Sequence, residues 1–109
     1  MTDVRVLLVT MPSAETAESL VNSMLAEGLI ACGTITQAVT SLYRWQGETE
    51  RVDEVLVIMK TTEAAAAQVV ARVPELHPYD VPEVLSLVVH QGHPPYLAWV
   101  RDSVGTRNE

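Results

Sequence analysis

The stretch from Thr34 to Thr62 is too long for the chain that carries it. It reads TITQAVTSLYRW, then QGE, then TERVDEVLVIMKTT. Ile35, Val39, Tyr43 and Trp45 fall on one side of an extended chain, and Thr34, Thr36, Thr40 and Arg44 on the other. That period of two predicts a strand. The Gln46-Gly47-Glu48 turn sends the chain back along itself, so the pair reads as a hairpin. Each arm holds on the order of eleven residues and spans roughly 36 Å at ~3.3 Å per residue. A compact domain of this length has a radius of gyration of only ~13 Å. The hairpin is therefore predicted to project beyond its own body. A bare two-stranded ribbon is marginal in water and presents unpaired edges, so another copy of the chain is expected to receive it.

A chain of 109 residues reads as one domain, 1–109. It is 48% hydrophobic yet has no Phe, so its core is built from Val, Leu, Ile, Ala and Met. The net charge of −7 excludes docking on nucleic-acid phosphates, which need clustered Lys and Arg. It equally opposes an anionic membrane surface and leaves cations admissible as ligands. The one cysteine, Cys32, allows no intrachain disulfide and fits a reducing compartment. The opening MTDVRVLLVTM is too short in apolar residues for a secretory signal, and no run reaches transmembrane length. The expectation is a cytoplasmic protein without a nucleic-acid or membrane partner.

Val4 to Thr10 is nearly all apolar and reads as a buried strand. Ser13 is the predicted cap of a helix whose stripe is Ala17, Leu20, Val21, Met24 and Leu25, and Gly28 ends it. After the hairpin, Thr62 caps a helix from Glu63 to Val73, which Pro74 is expected to close. His77 to Pro82 is a loop, Glu83 to His90 a strand, and Pro94-Pro95 open a last helix carrying Tyr96, Leu97, Trp99 and Val100. The tail from Gly105 to Glu109 is expected to fray. This order is an α+β, ferredoxin-like (split βαβ) sandwich with a long β-hairpin. Right-handed crossovers put both main helices on one face of the sheet. Yet Val55, Leu56, Val57, Ile58 and Met59 point alternately to both faces, and all are apolar. The second face therefore calls for a second subunit.

Few side chains announce chemistry. Cys32 reads first as a small core hydrophobe, and otherwise as a thiolate nucleophile or soft-metal ligand. His77, Asp80 and Glu83, spaced by three, are candidates to converge on a cation; the plainer reading of His77 is a ring bonded to backbone. Lys60 and Glu83, at sheet ends, either pair with each other or point into a cleft. Tyr43 and Trp45, near the hairpin tip, are expected to pack against a neighbour. The run Glu48, Glu50, Asp53, Glu54 reads as a solvated face that discourages edge pairing. No P-loop, dinucleotide fingerprint, HExxH or paired CxxC occurs.

Taken together, TSLYRWQGE, VLVIMKTT, HPYDVPEV and YLAWV resemble the CutA family of divalent-cation tolerance proteins, over nearly the whole chain. The resemblance implies a ferredoxin-like fold assembled as a homotrimer, with an architecture like that of PII signalling proteins and ligands held between subunits. It implies a link to tolerance of divalent copper and brings no catalytic activity. Trp45, Lys60, Tyr79 and Glu83 lie in the shared motifs and become the cleft candidates. His77 matches one metal-binding histidine of copper-binding relatives. Where some of those relatives carry a Cys and a second His, this chain has Val9 and Leu76. An enzyme of the same fold using Cys32 or His77, or a purely structural trimer, is the alternative.

Overall fold

The chain runs β1 (Val4–Met11), α1 (Ala14–Ala26), β2 (Cys32–Ile35), β3 (Val39–Trp45), β4 (Glu48–Thr62), α2 (Glu63–Leu76), β5 (Val84–Val88) and α3 (Pro94–Ser103). The computed structural model describes residues 1–106. It is an α+β fold: an antiparallel sheet in the order β2-β4-β1-β5, with β3 also paired to β4, and three helices.

Local chemistry sets the helix ends. Ser13 caps α1 by accepting from Thr16 N, and the Thr16 hydroxyl reciprocates by accepting from Ser13 N. Gly28, at φ 72°, closes the same helix. Its N–H donates to Leu25 O while Leu29 N–H donates to Met24 O, which satisfies two carbonyls of the last turn. Thr62 caps α2 as expected. The helix does not stop at Pro74, however, but continues to Leu76. Pro74 lies in the last turn, where a missing N–H removes only one bond. The second proline ends the helix instead: Pro78 disfavours helical backbone at the residue before it, and His77 sits at φ −93°, ψ 137°.

Alternation along β1 and β4 divides the protein into two sides. Leu7, Val9, Met11, Val55, Val57 and Met59 are buried under α1 and α2 with Leu20, Val21, Met24, Val69 and Val73. Their neighbours Val6, Leu8, Leu56 and Ile58 face the other way and stay partly open. There the pairing sets Leu85 beside Leu8 and Leu87 beside Val6, and both leucines are about half exposed. α3 covers one end of this second face, where Leu97 and Val100 pack on Val4 and Ala31. An ion pair from Arg101 to Asp3 holds the helix there. Among the described residues nothing covers the rest of that apolar face.

The hairpin arms do not run unbroken. β2 pairs Ile35 with Val57, and β3 resumes by pairing Val39 with Glu54. Three residues, Thr36 to Ala38, therefore stand opposite two, Val55 and Leu56. This is a bulge of one extra residue. It reverses which face odd-numbered residues take. Ile35 joins the helix-side core, whereas Val39, Tyr43 and Trp45 pair across from Glu54, Glu50 and Glu48 on the open side. The sequence expectation that these four share a side is thus overturned. Thr36 mends the ladder at the bulge, since its hydroxyl accepts the Leu56 N–H at 2.9 Å. At the tip, Gln46 and Gly47 both have positive φ, 49° and 83°, as a tight two-residue hairpin requires.

β4 is 15 residues long, and its Glu48–Glu54 half pairs only with β3. The ribbon so formed projects as expected, and the longest dimension of the molecule is 44 Å. β5 is shorter than the strand expected from Glu83 to His90. In the tail, Gly105 is held by its N–H to Gly28 O. The remaining tail residues, 107–109, lie outside the described residues.

Two close fits generate predictions. A Cβ on Gly33 would stand 2.7 and 2.8 Å from the two methyls of Val21 on α1, and a β-branched side chain cannot swing away. Gly33→Ala should destabilise by ~1–3 kcal/mol in chemical denaturation, and by clearly less in a Val21→Ala background. At the bulge, Thr36→Val leaves the Leu56 N–H without its acceptor and should cost about 1 kcal/mol. Thr36→Ser should cost less, because it keeps the oxygen.

Candidate ligand pocket

His77 is the hinge of the loop between α2 and β5. It is buried, with Nε2 2.7 Å from Thr10 O and Nδ1 accepting the Tyr79 N–H at 3.1 Å. With Nδ1 accepting, Nε2 carries the proton and donates to Thr10. Both ring nitrogens are thus engaged, one to β1 and one to its own loop. Asp80 and Glu83 do not converge on it, and both are exposed. Among the described residues no group of three His, Cys, Asp or Glu side chains is placed to hold a metal ion. Val9 and Leu76, the two positions at which the sequence resemblance would place further metal donors, are a core residue and a partly buried leucine packed on it. Within one protomer the described residues do not assemble a copper site.

The clamp on His77 fixes the next aromatic. The Tyr79 ring packs against the imidazole, with centroids 4.7 Å apart. Its hydroxyl donates to Glu54 Oε2 at 3.2 Å. Burial first, then the negative charge and hydrogen bond of Glu54, raise the Tyr79 phenol above its ordinary pKa. Glu54 itself is only 6% exposed. The sequence reading made it part of a solvated acidic face, and the structure corrects that. Glu54 is the last acid before the apolar run of β4, the loop folds down over it, and Tyr79 seals it. Glu48 and Glu50, farther out on the ribbon, are exposed as expected.

Tyr43, Trp45, Glu54, Tyr79, Asp80 and Val81 line a cavity of about 290 Å³ between the ribbon and the loop. Two of the cleft candidates, Trp45 and Tyr79, therefore meet within one protomer. The other two lie elsewhere. Lys60 is six residues along β4 from Glu54, roughly 20 Å at ~3.3 Å per residue, in the row Cys32–Lys60–Val6–Leu87. Glu83 just precedes β5, which starts opposite Val9, and is exposed. Among the described residues none of the ion pairs joins Lys60 to Glu83. The residues that sequence reasoning missed are Glu54 and, as a pocket wall, Tyr43. The bulge brings Tyr43 and Trp45 to this side, and nothing in the residue types signals it.

Cys32 is half-buried on the uncovered face rather than in the helix-side core. Its Sγ lies 3.7 Å from the Tyr96 hydroxyl, its one side-chain partner among the described residues. Burial, then the hydrogen bond with Cys32, raise the Tyr96 phenol. Among the described residues no imidazole or carboxylate is hydrogen-bonded to the thiol, so none of them serves it as a general base.

A family model described as CutA1 divalent ion tolerance protein matches residues 5–103. The divalent-cation tolerance protein CutA of Thermus thermophilus is 42% identical over 100 residues, covering 92% of this chain and 97% of that one. The CutA homolog of Xenopus laevis is 38% identical over 96 residues, covering 88% of this chain and 64% of that longer protein. Among solved structures, the Thermus thermophilus divalent cation tolerance protein matches with a TM-score of 0.90 at 41% identity, over 94% of this chain and 99% of that one. CutA from Xylella fastidiosa matches with a TM-score of 0.91 at 33% identity, over 94% and 99%. With the fold, the hairpin and the motifs in agreement along the chain, it belongs to the CutA1 divalent ion tolerance protein family.

Proposed function

We propose that this chain acts in divalent-cation tolerance as a homotrimer of ferredoxin-like protomers. It binds a small ligand in clefts between subunits, in a PII-like arrangement, and carries out no catalysis of its own. The observation that carries this reading is the apolar sheet face with Leu8, Ile58, Leu85 and Leu87, left open beyond α3. Fully burying one leucine contributes ~1.5–3 kcal/mol, and this face sets two half-exposed ones, Leu85 and Leu87, side by side. The projecting ribbon adds a second surface that its own protomer does not cover. The element order and the sheet order β2-β4-β1-β5 support the ferredoxin-like description.

The cleft reading needs the assembly. Lys60 is remote from Trp45 and Tyr79 within one chain, and Glu83 does not line their pocket, so a neighbouring copy has to complete the cleft. Against an enzyme stands the lack of a base beside Cys32 and the use of both His77 nitrogens by backbone. The link to copper then works through weak or transient contact at His77, which must first release Thr10 or Tyr79. The cytoplasmic reading rests on the single Cys32.

Light scattering of the native protein at micromolar concentration should give three chains per particle; a folded lone protomer sinks the reading. Copper titration by calorimetry should show at most weak binding, lost in His77→Ala. Identical isotherms for the two proteins remove His77 as a ligand.

Tyr79 gives a pH prediction. Its phenol is raised above 10.0 in the folded chain, so the folded state holds that proton more tightly than the unfolded state. The contribution is fully present below pH 10.0 and is lost as pH rises through the folded value. The urea midpoint of the native protein should therefore fall more steeply above pH 10 than that of Tyr79→Phe. Equal slopes would show that the Tyr79–Glu54 contact does not couple to folding.

A further inference from the structure

Half of the pocket wall hangs on a loosely tied segment. Tyr43, Trp45 and Glu54 line one side of the cavity, and Tyr79, Asp80 and Val81 line the other. The first three sit in the β3–β4 ladder, where Tyr43 pairs with Glu50, Trp45 with Glu48 and Glu54 with Val39. The other three belong to residues 77–83, a strap between α2 and β5. Its two ends are fixed, because Leu76 and Val84 both pack on the helix-side core. Between them the ties are few. Among the described residues, 78–82 make no backbone–backbone hydrogen bond, and neither Asp80 nor Glu83 enters an ion pair. Two side-chain hydrogen bonds join the strap to the body: the His77 ring to Thr10 O and the Tyr79 hydroxyl to Glu54. A third, from the Tyr79 N–H to His77 Nδ1, is internal to the strap and makes Tyr79 follow His77. Pro78 and Pro82 have fixed φ and no N–H, so the piece between them is stiff and unsupported. Segments with few buried contacts and few backbone bonds open well before the whole fold does.

We infer that this strap is the gate of the cleft: it is closed in the resting state, and it swings out about His77 and Glu83 when His77 lets go of Thr10 and Tyr79 lets go of Glu54. The proline-bounded piece moves as one body and carries half of the wall with it. This rests on the reading of the cleft as a ligand site. A neighbouring copy that completes the cleft does not replace the strap, because Tyr79 reaches Glu54 within its own chain. His77 is not among the pocket walls. It acts as a positioning residue, which sets where the Tyr79 ring stands when the gate is shut. Such gating governs entry and release of a ligand.

The test is native-state hydrogen exchange, read by NMR on the full-length protein in its native assembly. The Tyr79 amide, bonded to His77 Nδ1, and the His77 Nε2 proton, bonded to Thr10 O, both report the closed strap. They should exchange about tenfold or more faster than the amides of β1 and β4. Dilute urea should speed those core amides and leave the two strap protons unchanged, since a local opening exposes little surface. Tyr79→Phe removes the outer pin and should speed both strap protons by about five- to tenfold, as expected for the loss of one hydrogen bond. His77→Asn keeps an acceptor near the Nδ1 position but loses the reach to Thr10, and should speed the Tyr79 amide by a similar factor. Strap protons that exchange at the core rate with the core's dependence on urea overturn the proposal, because the wall is then rigid. So does an unchanged rate in Tyr79→Phe, which means that the ring stays in the cleft while the loop loosens. An unchanged Tyr79 amide in a folded His77→Asn overturns it as well; if that variant fails to fold, the native protein and Tyr79→Phe decide. Light scattering on the same samples keeps the two readings apart. A trimer whose strap follows the core loses the gate and keeps the shared cleft, whereas a lone protomer with a freely opening strap does the reverse.

Discussion

The strict alternation of β4 is what the rest of the molecule depends on. Along its inner half every odd residue, Val55, Val57 and Met59, is locked under α1 and α2, and Thr61 follows them into the interior by donating to Leu29 O. The even residues must then face the opposite side, since adjacent side chains in a strand cannot share a face. Those residues are Glu54, Leu56, Ile58 and Lys60. One constraint thus produces the open apolar patch at Leu56 and Ile58 and the position of Lys60 beside Cys32. It also aims Glu54 at the pocket. β1 and β5 follow, because their register against β4 is fixed through Val9–Val57 and Val9–Val84.

Against that regular strand, the single extra residue between Ile35 and Val39 has large consequences. Without it, β3 would carry Tyr43 and Trp45 on the helix side, away from Tyr79. With it, a strand that begins in the core ends by presenting aromatic rings to the other face. The Thr36 hydroxyl stands in for a ladder acceptor where the bulge breaks the pairing, so the shift leaves no stranded amide at Leu56.

Much of this was legible in the residues. Caps at Ser13 and Thr62, the glycine stop at Gly28 and the overhanging hairpin all follow from short-range chemistry that a sequence displays openly. The second apolar face was legible too, because five consecutive apolar residues in a strand cannot all lie under one layer of helices. What escaped depends on partners distant in sequence. A bulge among Thr36, Gln37 and Ala38 has no glycine or proline to mark it, and only the register against β4 reveals it. Glu54 looks like the acids around it until Tyr79, 25 residues on, folds across it. Pro74 misled for a related reason: a proline stops a helix less firmly near its end than one placed just after it, as Pro78 is. The distance of Lys60 from Trp45 and Tyr79 was likewise invisible, because motif neighbours in sequence need not be neighbours within one protomer.

The energetics of Glu54 connect fold to function. Removing a carboxylate from water costs several kcal/mol even after relaxation. One hydrogen bond to a charged group returns about 1.5–3 kcal/mol. Tyr79 supplies its one side-chain hydrogen bond among the described residues, and its position is dictated by an alternation that the core cannot surrender. A strand can relieve such a group in two ways: by turning it to solvent or by giving it a counter-charge. The His77 clamp forecloses the first, because it pins the loop that carries Tyr79 down over Glu54. A positive group brought from outside the protomer is the other route to balance.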